Sequence, residues 1–205
     1  MTVQQAYADR AREYTSLLGS MESVHSADRH LVDTWADQID GTILDVGCGP
    51  GHWTAHLAQR GCTVHGVDQV SAFIHHARTA YPRLSFHVGS LDSLEVTAGS
   101  VGGVLAWYSL IHHESTSIRV PLKEFARVLR PNGSLIIGFF VGSSLEAFDH
   151  AVTTAYYWPM TSLVAELEAV GFTVSEAHTR TGSGYRPHGA VIARRNSGVL
   201  GSVSP

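Results

Sequence analysis

Asp45-Val46-Gly47-Cys48-Gly49-Pro50-Gly51 follows the apolar pair Ile43-Leu44 and leads into His52-Trp53-Thr54, so a short apolar run passes through a glycine turn into an amphipathic stretch. Gly47 and Gly49 are positions where a ligand approaches the main chain without meeting a side chain, and Gly51 frees the turn into the helix. The first N–H groups of that helix add unpaired donors. The next apolar run, Val64-His65-Gly66-Val67-Asp68, ends on an acid. A carboxylate at the tip of a second strand can accept both hydroxyls of an adenosine ribose. The loop alone is a weak signal, but the loop and the acid together point to an adenosine cofactor. A dinucleotide fingerprint would place its third glycine at position 52, where this chain has His52 and puts the glycine at 51, so NAD is disfavoured. The P-loop signature is absent and no lysine stands near the turn, which leaves nucleoside triphosphate chemistry without support.

Such residues need strands and helices to hold them. From residue 43 onward, short apolar runs alternate with amphipathic stretches, the pattern of an α/β domain on a mostly parallel sheet. Strands are expected over Ile43–Val46, Thr63–Val67, Leu84–Val88, Val101–Trp107 and Ser134–Val141. Several are apolar on both faces, as helices covering both sides would require. Trp53, Leu57 and Ala58, then Phe73, Ile74 and Ala77, then Leu122, Phe125, Ala126 and Leu129, and finally Leu163, Leu167 and Val170 mark the helices between them. Phe172–His178 and Gly189–Arg194 read as two closing strands, near enough in sequence to pair as a hairpin. Ahead of the sheet, Tyr7, Ala11, Tyr14 and Leu18 share one face of a single helix that would act as a lid. Residues 143–159 form a second covering segment. The domain is expected to be single over 1–195, with a helical cover at 1–40, the core at 41–195 and a flexible tail at 196–205.

The loop Asp45–Gly51 resembles motif I of class I S-adenosylmethionine-dependent methyltransferases. Val88-Gly89-Ser90-Leu91-Asp92-Ser93-Leu94 looks like that family's adenine-binding loop, and Leu129-Arg130-Pro131-Asn132-Gly133-Ser134-Leu135 like the turn before its fifth strand. The resemblance implies a Rossmann-like three-layer sandwich with a mostly parallel seven-stranded sheet and an antiparallel C-terminal hairpin strand. It also implies S-adenosyl-L-methionine as cofactor and S-adenosyl-L-homocysteine as its product. Carried over by position, Gly47 and Gly49 face the methionine part, Asp68 the ribose, Gln69 and Val70 the adenine edge and face, and Leu91 the surroundings of the adenine amine. Ser90 departs from the Asp often found there, although its hydroxyl can still accept that bond more weakly. Tyr14, Asp45, Cys48, His52, Trp53, Ala106 and Trp107 complete the expected cofactor set.

Methyl transfer needs the acceptor in line with the S–CH3 bond, close to it and shielded from water. The tip of the fourth strand, Ala106-Trp107-Tyr108-Ser109-Leu110-Ile111-His112-His113-Glu114, is expected to border that space. Tyr108 and His112 are the expected catalytic pair: Tyr108 with Trp107 offers aromatic faces to the sulfonium, and His112 takes a proton from an acceptor hydroxyl. The alternative is that one of His112 and His113 bonds the main chain while the other is solvated. His52 and His56 stand one helical turn apart, but Trp53 occupies the position where a zinc protease needs Glu, so no metal is expected there. Arg180, Arg186, His188, Arg12 and His25 would favour an anionic acceptor if they converged on the pocket.

The chain has 205 residues, 44% of them apolar and 16% charged, which suits one compact core. A net charge of -4 and scattered basic residues argue against nucleic-acid or anionic-membrane binding. No apolar run approaches a bilayer span and the N-terminus lacks signal-peptide blocks, so the expected address is the cytoplasm. The two cysteines, Cys48 and Cys62, have no metal-ligand spacing. The reading is a metal-independent methyltransferase acting on a small-molecule acceptor; a non-catalytic S-adenosylmethionine or metabolite sensor is the alternative.

Overall fold

The computed structural model describes residues 2–197. Its strands are β1 (Ile43–Val46), β2 (Val64–Asp68), β3 (Ser85–Val88), β4 (Val101–Trp107), β5 (Leu129–Val141), β6 (Glu146–Phe148), β7 (Ala155–Trp158), β8 (Phe172–Arg180) and β9 (His188–Arg195). The helices are α1 (Val3–Asp9), α2 (Ala11–Leu18), α3 (Ser26–Ala36), α4 (His52–Gln59), α5 (Ser71–Ala80), α6 (Arg119–Val128) and α7 (Met160–Ala169). The parallel part of the sheet runs β3-β2-β1-β4-β5, and β9 and β8 continue it as the expected antiparallel hairpin.

Successive side chains of a strand point to opposite faces, and the two cores follow that rule residue by residue. Leu44, Val46, Val104, Ala106, Leu135 and Ile137 pack on one face with Leu122 and Phe125 of α6 and Leu163 and Leu167 of α7. Ile43, Leu105 and Ile136 turn the other way and meet Val32 and Trp35 of α3 and Trp53 and Leu57 of α4. Three layers result. Trp35 is tied through the second core by its indole N–H, which donates to the buried Ser134 hydroxyl at 2.9 Å.

Three features differ from the sequence-based expectation. The expected seven strands, in the order β3-β2-β1-β4-β5-β9-β8, are joined among the described residues by two more, because residues 143–159 fold into the β6–β7 hairpin instead of lying over the core as a separate cover. β9 occupies one edge of β5 as far as Phe140, so β7, paired with Phe140 and Val141, lies on the edge that β4 leaves free beyond Trp107. The N-terminal stripe is two helices that break at Arg10, whose guanidinium binds both carboxylate oxygens of Glu13. Both still pack by Tyr7, Ala11 and Tyr14 against Val70 and Phe73 at the start of α5. β5 begins five residues earlier than expected, with an irregular register across Pro131–Gly133. Most of the expected tail, 198–205, lies outside the described residues; Asn196 still pairs with Gly171 and Thr173.

Candidate active site

The strand order reverses at β1, with β2 on one side and β4 on the other, and ligands in such sheets bind at the carboxyl ends of these strands. There β1 gives way to the glycine loop. Gly47 has φ +72°, and a Cβ on it would come within 2.3 Å of the Ser109 Cβ, so only glycine fits. The Gly47 and Cys48 N–H groups both donate to the Val67 carbonyl, at 2.7 and 3.1 Å, and stitch the loop to β2. The Asp68 carboxylate accepts the Gly49 N–H on one oxygen at 2.9 Å and the Val70 N–H on the other at 2.8 Å. Burial raises the Asp68 pKa and these two bonds oppose the rise. Each oxygen keeps capacity to accept a further bond. Below the loop, Asp45 accepts the Thr54 hydroxyl at 2.6 Å, while burial pushes its carboxyl up to about 7.

Two connected spaces open on this loop. A narrow cleft is walled by Asp68, Gln69, Val70, Phe73 and Leu91 and roofed by Tyr7 and Tyr14 from the N-terminal helices. A wider cavity of about 390 Å³ begins at Gly47, Gly49 and His52, passes Trp107 and Tyr108, and reaches Phe140, His150 and His188. Among the described residues, two buried side-chain polar atoms lack any partner, His52 Nδ1 and Ser109 Oγ. Both residues border these spaces beside the glycine loop. Burial lowers the His52 imidazole to about 4, which keeps it neutral at ordinary pH.

At the tip of β4 the chain turns sharply. Tyr108 has φ +57°, an unfavourable backbone for a bulky residue. Its N–H donates to the Gly138 carbonyl at 3.0 Å, and its hydroxyl is hydrogen-bonded to His188 Nδ1. His112 is held at both nitrogens: Nδ1–H donates to the Thr154 carbonyl at 2.7 Å, and Nε2 accepts the Tyr7 hydroxyl at 2.9 Å. Burial lowers the His112 pKa and raises the Tyr7, Tyr14 and Tyr108 pKa values, that of Tyr14 to about 12.

The fold therefore brings Tyr14, Asp45, Gly47, Cys48, Gly49, His52, Trp53, Asp68, Gln69, Val70, Leu91, Trp107, Tyr108 and His112 to the walls of one connected space. Ser90 and Ala106 are not among those walls. The Ser90 hydroxyl accepts the Asp92 N–H in a local turn, and Ala106 points into the core opposite to Trp107. The Cys48 sulfur packs with Ile74, Ala77 and Phe86. Of the basic residues, Arg180 is neutralised by a two-bond pair with Asp28 at 2.7 and 3.1 Å, and Arg186 lies over the Phe148 ring. Arg12 does not line either space. His56 pairs with Asp33 at 2.7 Å, and no group of three possible metal ligands occurs among the described residues.

Tyr7, Phe73, Phe140 and His150 were not singled out for the site from the sequence, and Ser109 was expected there only as part of the tip of the fourth strand. Tyr7 shares the stripe of Tyr14, and Ser109 adjoins Tyr108, so local signals existed for these two. Phe140 and His150 carry none, because they arrive through β5 and the β6–β7 connection.

A family model described as a methyltransferase domain matches residues 43–133, which run from β1 through the start of β5. The chain is 31% identical over 137 residues to the biotin biosynthesis bifunctional protein BioHC of Cellvibrio japonicus, a match over 66% of this chain and 26% of that protein. It spans 37% of a mycobacterial relative's length. It is 27% identical over 204 residues to an uncharacterized methyltransferase of Synechocystis sp. (strain PCC 6803), covering 94% of this chain and 92% of the relative. The crystal structure of the magnesium protoporphyrin IX methyltransferase of Synechocystis PCC 6803 with bound SAM superposes with a TM-score of 0.72 at 17% identity, covering 96% of this chain and 98% of that one. The glycine loop, the sheet order and these relatives all point to the same stretch of sequence, and the chain belongs to the class I S-adenosylmethionine-dependent methyltransferases.

Proposed function

We propose that this chain transfers the methyl group of S-adenosylmethionine to a small molecule held beyond Trp107 and Tyr108, by in-line displacement and without a metal. The cofactor, when bound, supplies an electrophilic methyl group on a positively charged sulfur. Asp68 holds the ribose hydroxyls with the lone pairs its two backbone bonds leave over, and Val70, Phe73 and Leu91 form apolar walls for the adenine. Gly47 and Gly49 leave room for the methionine part. His112 keeps Tyr7 in the roof and so helps exclude water.

The observation that carries this reading is the pair of partnerless atoms, His52 Nδ1 and Ser109 Oγ. A buried polar group left unpaired is unfavourable by about 1–3 kcal/mol, and a ligand with polar groups at the glycine loop relieves it. Calorimetry with S-adenosylhomocysteine and with NAD tests the assignment: the first is expected to bind and the second not. Asp68→Ala is expected to weaken S-adenosylhomocysteine at least tenfold. Ser109→Ala is expected to weaken it severalfold without lowering the melting temperature of the free protein. Undiminished affinity in both variants would refute the placement.

A further inference from the structure

We propose that Tyr108 and His188 form the proton-accepting pair of the acceptor chamber, and that the acceptor is an uncharged, flat aromatic compound methylated on a hydroxyl. The inference rests on the methyl-transfer reading above and assigns that site its substrate class.

Charge and shape argue for the acceptor. Phe140 lies 5.2 Å from Tyr108, 5.6 Å from His188 and 6.2 Å from His150, ring centre to ring centre, so the chamber is a box of aromatic edges and faces. Tyr185 adds a further ring 5.6 Å from His188. The charged pair of this wall cancels: Arg180 is bound to Asp28 through Nε and Nη2, and both side chains are largely buried. Burial lowers His150 to about 4 and leaves it neutral. Among the described residues, the guanidinium that lines this chamber already has a carboxylate partner, so an anion would compete with Asp28, whereas an aromatic ring would find edge and face partners.

Among the described residues, His25, His52, His150 and His188 line this chamber with a nitrogen to spare, and of these His188 is hydrogen-bonded to a tyrosine hydroxyl. His112 has none, since Thr154 and Tyr7 occupy both. His188 has only its Nδ1 engaged, by the Tyr108 hydroxyl. Tyr108 keeps its strained backbone while placing that hydroxyl in the chamber wall. Tyr108, His188, Trp107, Asp28 and Arg180 also form the partition between this chamber and a second cavity of about 390 Å³ between α3 and β8–β9. His188 is faced by Tyr108 from β4, Asp28 from α3, His25 ahead of it, and Arg180 and Tyr185 from β8 and its loop. Asp28 favours the charged imidazole, while burial, Arg180 and His25 oppose it.

In the step itself, a lone pair of the acceptor oxygen forms the new C–O bond and the electrons of the S–CH3 bond remain on sulfur. The hydroxyl proton passes to Tyr108 Oη as the Tyr108 proton passes to His188 Nδ1. The imidazolium becomes neutral again by releasing a proton to water in the second cavity. One positive charge enters with the sulfonium and one leaves as the proton.

The test uses full-length protein saturated with S-adenosylhomocysteine, with 2-naphthol as probe and 2-naphthoate as its anionic counterpart. Fluorescence titration is expected to show 2-naphthol binding at least tenfold more tightly. Excited 2-naphthol gives its proton to a base within hydrogen-bond reach and then emits as naphtholate, so its emission reports the proton acceptor directly. Bound to the wild type it is expected to emit mainly as naphtholate, and in Tyr108→Phe and His188→Gln the neutral band is expected to grow at least threefold. Tighter or equal binding of 2-naphthoate, no binding of 2-naphthol, or unchanged emission in both variants would overturn the proposal. Absence of S-adenosylhomocysteine binding would overturn the methyl-transfer reading first, and calorimetry separates the two failures.

Discussion

Asp45 is the residue most exposed to the consequences of its own burial. It is 2% accessible, and burial pushes its carboxyl up to about 7, with the Thr54 hydroxyl opposing and Asp68 adding to the rise. The folded state therefore holds the proton more tightly than the unfolded chain, whose Asp titrates near ~3.9. Below about 4 both states are protonated and the group is neutral to stability. Between about 4 and 7 its contribution falls as pH rises, to a penalty on the order of 4 kcal/mol that then stays constant. Asp45→Asn retains an acceptor for Thr54 and removes the titration. Thermal melts of the cofactor-free protein are expected to show the variant gaining more over wild type at pH 8 than at pH 4.5, and parallel pH profiles would contradict this.

At the scale of elements, two ties hold the covers over the sheet. The Tyr7 hydroxyl fastens α1 to His112, which the Thr154 carbonyl ahead of β7 holds from its other side. A single neutral hydrogen bond contributes about 1 kcal/mol. Tyr7→Phe is therefore expected to weaken S-adenosylhomocysteine by about fivefold, chiefly through faster dissociation seen in stopped-flow displacement. The second tie is Asp28 of α3 with Arg180 at the end of β8, each side chain less than a fifth exposed. Arg180→Ala strands a part-buried carboxylate and is expected to lower stability by about 2 kcal/mol. The double variant Asp28→Ala with Arg180→Ala is expected to lose less than the sum of the single losses, measured by urea unfolding.

Across the whole molecule, the strand reversal at β1 puts every expected ligand contact at one end of the sheet. Hydrogen exchange is therefore expected to slow on S-adenosylhomocysteine binding in residues 3–18, 46–51 and 107–112. Residues 130–133, at the opposite end ahead of the straight part of β5, are expected to exchange as before. Slowing confined to 130–133 would place the ligand at the wrong end. The parallel strands were legible because each must bury both faces, which writes a near-continuous apolar run into Ile43–Val46 and Val101–Trp107. β6 and β7 were not legible: they are short, and β7 exists because β5 outruns β4 and leaves an edge for Tyr157 and Trp158 to pair with.

The sequence by itself determined the glycine loop, the acid at the tip of β2 and the alternation that sorts core from surface. Those depend on backbone freedom, strand period and turn chemistry, which act over a few neighbouring residues. Only the tertiary structure decided which tyrosine hydroxyl each of His112 and His188 bonds. Tyr7 reaches His112 across 105 residues and Tyr108 reaches His188 across 80, and a hydrogen bond between such distant groups exists only once the sheet order has brought their elements together. The same holds for Asp28 and Arg180, 152 residues apart, whose pairing gives the guanidinium of the chamber wall a carboxylate partner.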